Sequence, residues 1–151
     1  MVNRLDISRL VLTAFLLAAA GCGAARSPSP EYLIAGGNPA LPFSPAVRVG
    51  TMLYLAGQVG TDQDGRLVAG GIREETRQTM TNIRQVLERN GSSLDRVVKC
   101  LVMLADIREW GAMSEEYVKF FPIHRPARSA FAGTGLALGA RVEIECMAAV
   151  G

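Results

Sequence analysis

The residues whose types and spacing could do chemistry are arginines and glutamates gathered in one stretch. It reads Arg125-Pro126-Ala127-Arg128-Ser129-Ala130-Phe131-Ala132-Gly133 and, after a short turn, Ala140-Arg141-Val142-Glu143-Ile144-Glu145-Cys146. Small and apolar residues alternate with polar ones and glycines bound the runs, so both pieces read as strands. On the first, Arg128, Ala130 and Ala132 share one face, and Ser129, Phe131 and Gly133 the other. Phe131 is the expected core residue, which turns Arg128 the opposite way, among alanines with room for a ligand. On the second, Val142, Ile144 and Cys146 form the apolar face, and Arg141, Glu143 and Glu145 the charged one. A guanidinium is the planar, two-pronged partner of a carboxylate, and a glutamate held near it could steer a water. That is the chemistry of a site for a small carboxylic acid. The same residues also read as a cross-strand ion pair on a solvated face, where such pairs contribute little. Residue types and spacing leave both readings open.

The elements that must position this stretch follow from composition and periodicity. With 151 residues, 49% hydrophobic and 20% charged, the chain is one globular domain's worth. A formal charge of +2 without a basic run gives no sign of nucleic-acid binding. The single histidine, His124, excludes a multi-histidine metal site and reads as a solvated loop residue between Pro122 and Pro126.

The N-terminus reads as a targeting segment. Arg4 and Arg9 precede Leu10–Ala20, which is apolar except for Thr13; eleven residues are too few to span a bilayer but suit the h-region of a secretory signal. The run ends Ala18-Ala19-Ala20-Gly21-Cys22, resembling a bacterial lipoprotein signal cleaved before Cys22, whose thiol would carry the lipid. Ala18-x-Ala20 also fits an ordinary signal-peptidase site. The expected organisation is a signal peptide over 1–21, a tether over 22–30 and a domain over 31–151, exported and held at a membrane through the lipid or released outside the cytoplasm. Five of the seven prolines lie between Gly23 and Pro45.

Within the domain, Glu31–Ile34 reads as a short edge strand. Ala46–Val49 and Met52–Gly57 form a hairpin around Gly50-Thr51, its second arm apolar on both faces and so expected to be covered on both. Asp62-Gln63-Asp64-Gly65 faintly resembles a calcium loop but lacks its closing glutamate, and reads as a turn. Met80, Ile83 and Leu87 space a first helix over 73–90, closed by Gly91. Val97–Leu104 is a nearly continuous apolar, central strand. Asp106-x-x-Glu109 resembles a capping box for a second helix, whose stripe of Trp110, Met113, Tyr117 and Phe120-Phe121 is expected in the core. The architecture is therefore α+β: a mixed sheet with both helices on one face. Its other face is too apolar for water, which implies self-association. Cys100 and Cys146, outside any CxxC or metal spacing, are expected as two buried free thiols.

Several separated motifs together resemble the Rid family of reactive intermediate deaminases, also called the YjgF family. They are Val49-Gly50-x-Met52 leading to Gly57-Gln58, Arg77-Gln78 with Asn82-Ile83, Tyr117-x-x-Phe120-Phe121, Pro126-Ala127-Arg128-Ser129, and Arg141-Val142-Glu143-Ile144-Glu145. The resemblance covers nearly all of 31–150. It implies a chorismate-mutase-like fold assembled as a homotrimer, with sites in the clefts between subunits. There Arg128 would grip the carboxylate of a 2-imino or 2-enamino acid such as 2-iminopropanoate or 2-iminobutanoate. Glu143 and the main-chain carbonyl of Ala130 would hold the water that attacks the C=N carbon, releasing ammonia and a 2-oxo acid, with no metal or organic cofactor. Phe43, Ala56, Gly57 and Ser114 would line the substrate cleft. The family usually has tyrosine, serine and asparagine where this chain has Phe43, Ala56 and Ser114, so these positions bear on which substrate is taken. A different class also fits: an exported trimer that binds a small carboxylate at Arg128 without turning it over. Retention of Glu143 favours catalysis, since binding a carboxylate does not call for a second acid nearby.

Overall fold

Met80, Ile83 and Leu87 stand one helical turn apart, and burying that stripe organises the molecule. In the computed structural model, which describes residues 27–33 and 41–151, all three are fully buried on helix α1, Ile72–Arg89. Beyond it Gly91 takes φ 74°, and the Ser92 N–H donates to the Leu87 carbonyl to close the turn. The stripe packs on a single seven-stranded sheet of strands β1 (Pro30–Leu33), β2 (Ala46–Val49), β3 (Met52–Leu55), β4 (Gln58–Val59), β5 (Val97–Leu104), β6 (Ala127–Ala132) and β7 (Val142–Ala149). The spatial order is β1-β2-β3-β7-β5-β6, with β4 on β7 beyond the end of β3. Every pair is antiparallel except β5 with β6. Those two are joined by a crossover through helix α2, Trp110–Tyr117, which packs beside α1. The expected mixed α+β sheet with two helices is present, and so is the short edge strand near residue 31.

Strand parity decides what the helices cover. Cys100, Val102 and Leu104 of β5 and Val142, Ile144 and Cys146 of β7 are buried under them. The intervening Leu101, Met103, Glu143, Glu145 and Met147 lie on the opposite face, where Tyr54 of β3 is 43% exposed. In the single chain the hairpin's second arm is thus covered on one side only, contrary to the reading from its composition.

Four side-chain expectations are corrected. Phe131 is 48% exposed. Residue Arg128 pairs with Cys100 and Ala130 with Val102, so the register that buries β5 under the helices also turns Arg128 and Ala130 toward them and Phe131 away. Trp110, expected in the core, is 46% exposed, whereas Met113, Tyr117 and Phe121 are buried. Cys100 and Cys146 are not free thiols: directly opposite one another on β5 and β7, they form a disulfide. Finally, Asp106 does accept from the Arg108 N–H, but Glu109 does not complete a capping box and instead pairs with Arg141.

Candidate active site

Arg128 stands on β6, the edge strand next to β5. Its guanidinium carbon lies 4.9 Å from the ring centre of Tyr117 and 5.4 Å from that of Trp110, both on α2. Its Nη2 donates to Ser114 Oγ at 3.0 Å, and Nη1 lies 3.9 Å from Met113 Sδ. These partners come from one helix because Trp110, Met113, Ser114 and Tyr117 fall at helical spacing on the face turned to β6. Burial pushes the Tyr117 phenol up to about 12, with the charge of Arg128 pulling the other way. The phenol stays neutral and the arginine keeps an uncharged, aromatic bed. Among the described residues no carboxylate pairs with Arg128, whereas Arg141, its neighbour in the sequence motif, is tied to Glu109. A guanidinium has five N–H donors, so most of its edge remains available to an anion.

The backbone beside it is also open. The Gly133 N–H donates to the Leu104 carbonyl on β5. Successive strand residues direct their peptide groups to opposite edges, so Ala130 turns its carbonyl to the free edge of the sheet, where it can accept from a water.

Glu143 is built from different elements. The run along β7 breaks at Ala56-Gly57: β3 pairs with the last residues of β7, and β4 with Ile144 and Glu143. The Ala56 N–H donates to the Pro45 carbonyl at 2.9 Å, and Gln58 Nε2 donates to the carbonyls of Ala56 and Gly57 at 3.2 Å. Gly57 is glycine for a steric reason. A Cβ there would collide with the Glu143 carboxylate oxygen and come within 2.9 Å of its Cδ. The start of β7 is pinned from α1, where the buried Glu75 carboxylate accepts from the Arg141 N–H at 2.8 Å.

The site residues read from the sequence therefore fall into two groups. Arg128, Ser114 and Ala130 gather on the helix side of the sheet at its β6 edge. Glu143, Gly57 and Ala56 gather around β7, with Glu143 directed to the opposite face. Strand β5 lies between, so neither the cross-strand ion pair nor a one-chain arrangement of Arg128 beside Glu143 forms. Phe43 is 54% exposed and borders a third place, a groove with Gln58, Asn82 and Arg89. Cys22 lies outside the described residues. Trp110, Tyr117 and Met113 escaped the sequence reading as site residues because an aromatic stripe on a helix reads as core. What reveals them is the register between β5 and β6, which pairs Arg128 with the buried Cys100 and so turns it to the helix side. No group of three or more His, Cys, Asp or Glu placed to hold a metal occurs among the described residues.

Comparison with known proteins adds four findings. A family model described as endoribonuclease L-PSP matches residues 36–150. The chain is 42% identical over 111 residues to the goat protein named 2-iminobutanoate/2-iminopropanoate deaminase, covering 73% of this chain and 81% of that one. Among solved structures, yeast YEO7 superposes with a TM-score of 0.77 at 38% identity, covering 82% of this chain and 100% of that one. A Yersinia pestis protein of the Rid family gives a TM-score of 0.74 at 31% identity, with 81% and 100% covered.

Proposed function

The chain belongs to the endoribonuclease L-PSP family, the Rid or YjgF family, and from that membership we propose that it hydrolyses 2-imino and 2-enamino acids to 2-oxo acids and ammonia. The observation that carries this reading is the half-buried Arg128, seated on two aromatic rings and without an acid partner among the described residues. A cation so held is a receptor for a carboxylate. The substrates in the goat relative's name are carboxylates with a C=N group on the next carbon. A charge of +2 across 151 residues gives little purchase on a polyanion, so the family's descriptive name is not taken as the activity.

In the proposed reaction Arg128 grips the carboxylate through two parallel N–H bonds. The Ala130 carbonyl and the Glu143 carboxylate orient a water at the imine carbon. As the water oxygen bonds to that carbon, Glu143 takes its proton and the C=N electron pair moves to nitrogen. The nitrogen, protonated in turn, leaves as ammonia while the C=O bond forms. No electrons are exchanged with an outside acceptor. Imines are already electrophilic, so holding acid and water together supplies most of what the reaction requires.

Arg128 and Glu143 lie on opposite faces of one sheet, two strand spacings or about 10 Å apart in the sheet direction. We therefore place the working site between copies of the chain, Arg128 and the Ala130 carbonyl coming from one subunit and Glu143 with Gly57 from its neighbour. The uncovered face bearing Tyr54, Leu101, Met103, Phe131 and Met147 supports a homotrimer closed over it. Phe43, Ala56 and Ser114 would complete the cleft.

We also propose that the protein works outside the cytoplasm, anchored through Cys22. The Leu10–Cys22 pattern motivates this, and the Cys100–Cys146 disulfide supports it, since such bonds persist in oxidising compartments. Cys22→Ala should shift the protein from the membrane to the soluble fraction. A native protein that is already soluble would refute the anchor.

The function is tested by ammonia release from freshly generated 2-iminobutanoate. The wild type should release ammonia well above the uncatalysed rate. Arg128→Lys, which keeps the charge but loses the planar fork, should lose about 10- to 100-fold in kcat/KM, the worth of a charge-assisted hydrogen bond at roughly 1.5–3 kcal/mol. Near-wild-type activity in that variant would sink the carboxylate clamp. Binding of the 2-oxo acid without any turnover by the wild type would make the chain a carboxylate-binding module.

A further inference from the structure

Trp110 is the chain's only tryptophan, and 46% of it is exposed although it opens α2 three residues before the fully buried Met113. Its ring faces the Arg128 guanidinium at 5.4 Å, while Tyr117 approaches the same group at 4.9 Å. The two rings are not equivalent. Tyr117 is 5% exposed and offers no ring surface to solvent. The indole lies against the guanidinium and, in the single chain, still presents a broad apolar surface on the side where the substrate would enter.

A carboxylate bound in the plane of the guanidinium is carried to the edge of that indole. In a 2-imino acid the side chain begins at C3, one carbon beyond the imine, and so lies beside the same surface. Resting on the reading that Arg128 binds the substrate carboxylate, we propose that Trp110 is a specificity-determining residue whose free surface packs against the substrate side chain and selects large apolar, above all aromatic, 2-imino acids. Offset or edge-to-face packing of a second ring on the indole favours such a substrate by roughly tenfold beyond its larger buried area. A methyl side chain reaches too little of the ring to gain from it. The neighbouring Ser114 Oγ accepts from Arg128, so the polar contact at this end is made on the arginine and the indole is the apolar surface beside it.

The test compares imines generated in place from L-phenylalanine and from L-alanine by an amino-acid oxidase, with ammonia release measured for wild type, Trp110→Ala and Trp110→Phe. The wild type should prefer 2-imino-3-phenylpropanoate over 2-iminopropanoate. Trp110→Ala should reduce the ratio of the two kcat/KM values tenfold or more, mainly through KM, and Trp110→Phe should keep most of it. An unchanged ratio in the alanine variant, or an equal loss on both substrates, would overturn the proposal, the second outcome meaning that the indole only steadies Arg128. Calorimetric binding of 3-phenyl-2-oxopropanoate and 2-oxopropanoate separates this inference from the deaminase reading. If the wild type releases no ammonia from either imine, deamination fails while the binding ratio still decides: tighter aromatic binding that Trp110→Ala abolishes upholds the wall, and equal or no binding overturns it.

Discussion

A half-buried charge without a counter-ion is costly unless something else holds it. For Arg128 that support comes from two ring faces and one hydroxyl, and cation–π contacts contribute about 0.5–2 kcal/mol each. The arrangement fixes the guanidinium plane while leaving its charge for an incoming acid. Glu143 faces a different constraint. Its carboxylate rests against the bare Cα of Gly57, so Gly57→Ala should displace it and lower kcat by roughly 100-fold, as expected for about 1 Å of misplacement, while 2-oxo acid binding at Arg128 persists. Glu143→Gln should show the same split between kcat and KM, because in the proposed reaction this side chain orients water and not substrate. Steady-state kinetics of the two variants check this; a Gly57→Ala enzyme with normal kcat would mean that the contact does not position the carboxylate proposed to orient the water.

At the scale of elements, β5 and β7 are joined twice, by their ladder and by the Cys100–Cys146 disulfide across it. Closing a loop over a sequence separation of 46 stabilises the fold by about 2–4 kcal/mol. Denaturing alkylation without reductant should therefore label neither cysteine, and reduction should lower the denaturation midpoint. Two labelled cysteines by intact mass would show free thiols. The sequence made the elements legible where one face dominates: α1 from Met80, Ile83 and Leu87, β5 from its unbroken apolar run, β7 from the alternation of Val142, Ile144 and Cys146. It was misleading on β6, where Phe131 outweighed the alanines. An edge strand takes its facing from the partner's register, and no local pattern records that register. For the same reason the disulfide was out of reach, since two cysteines far apart in sequence meet only once β5 and β7 are aligned. Arg128, Glu143, Ala130, Gly57 and Ser114 were nameable from motifs. Their division between two faces of the sheet was not.

That division sets the scale of the whole molecule. Placing Arg128 and Glu143 at one reaction centre requires a second copy of the chain, and the uncovered apolar face supplies a surface for it to bury. Light scattering should report a homotrimer at low micromolar concentration. The most direct test mixes two impaired variants, Arg128→Lys and Glu143→Gln, by joint refolding at equal amounts and follows ammonia release from 2-iminobutanoate. With one residue drawn from each neighbour, random assembly gives about one quarter of sites an intact pair, so the mixture should recover about a quarter of wild-type activity although each variant alone has little. Mixed trimers that form yet show no more activity than the two variants measured separately would contradict a site shared between subunits.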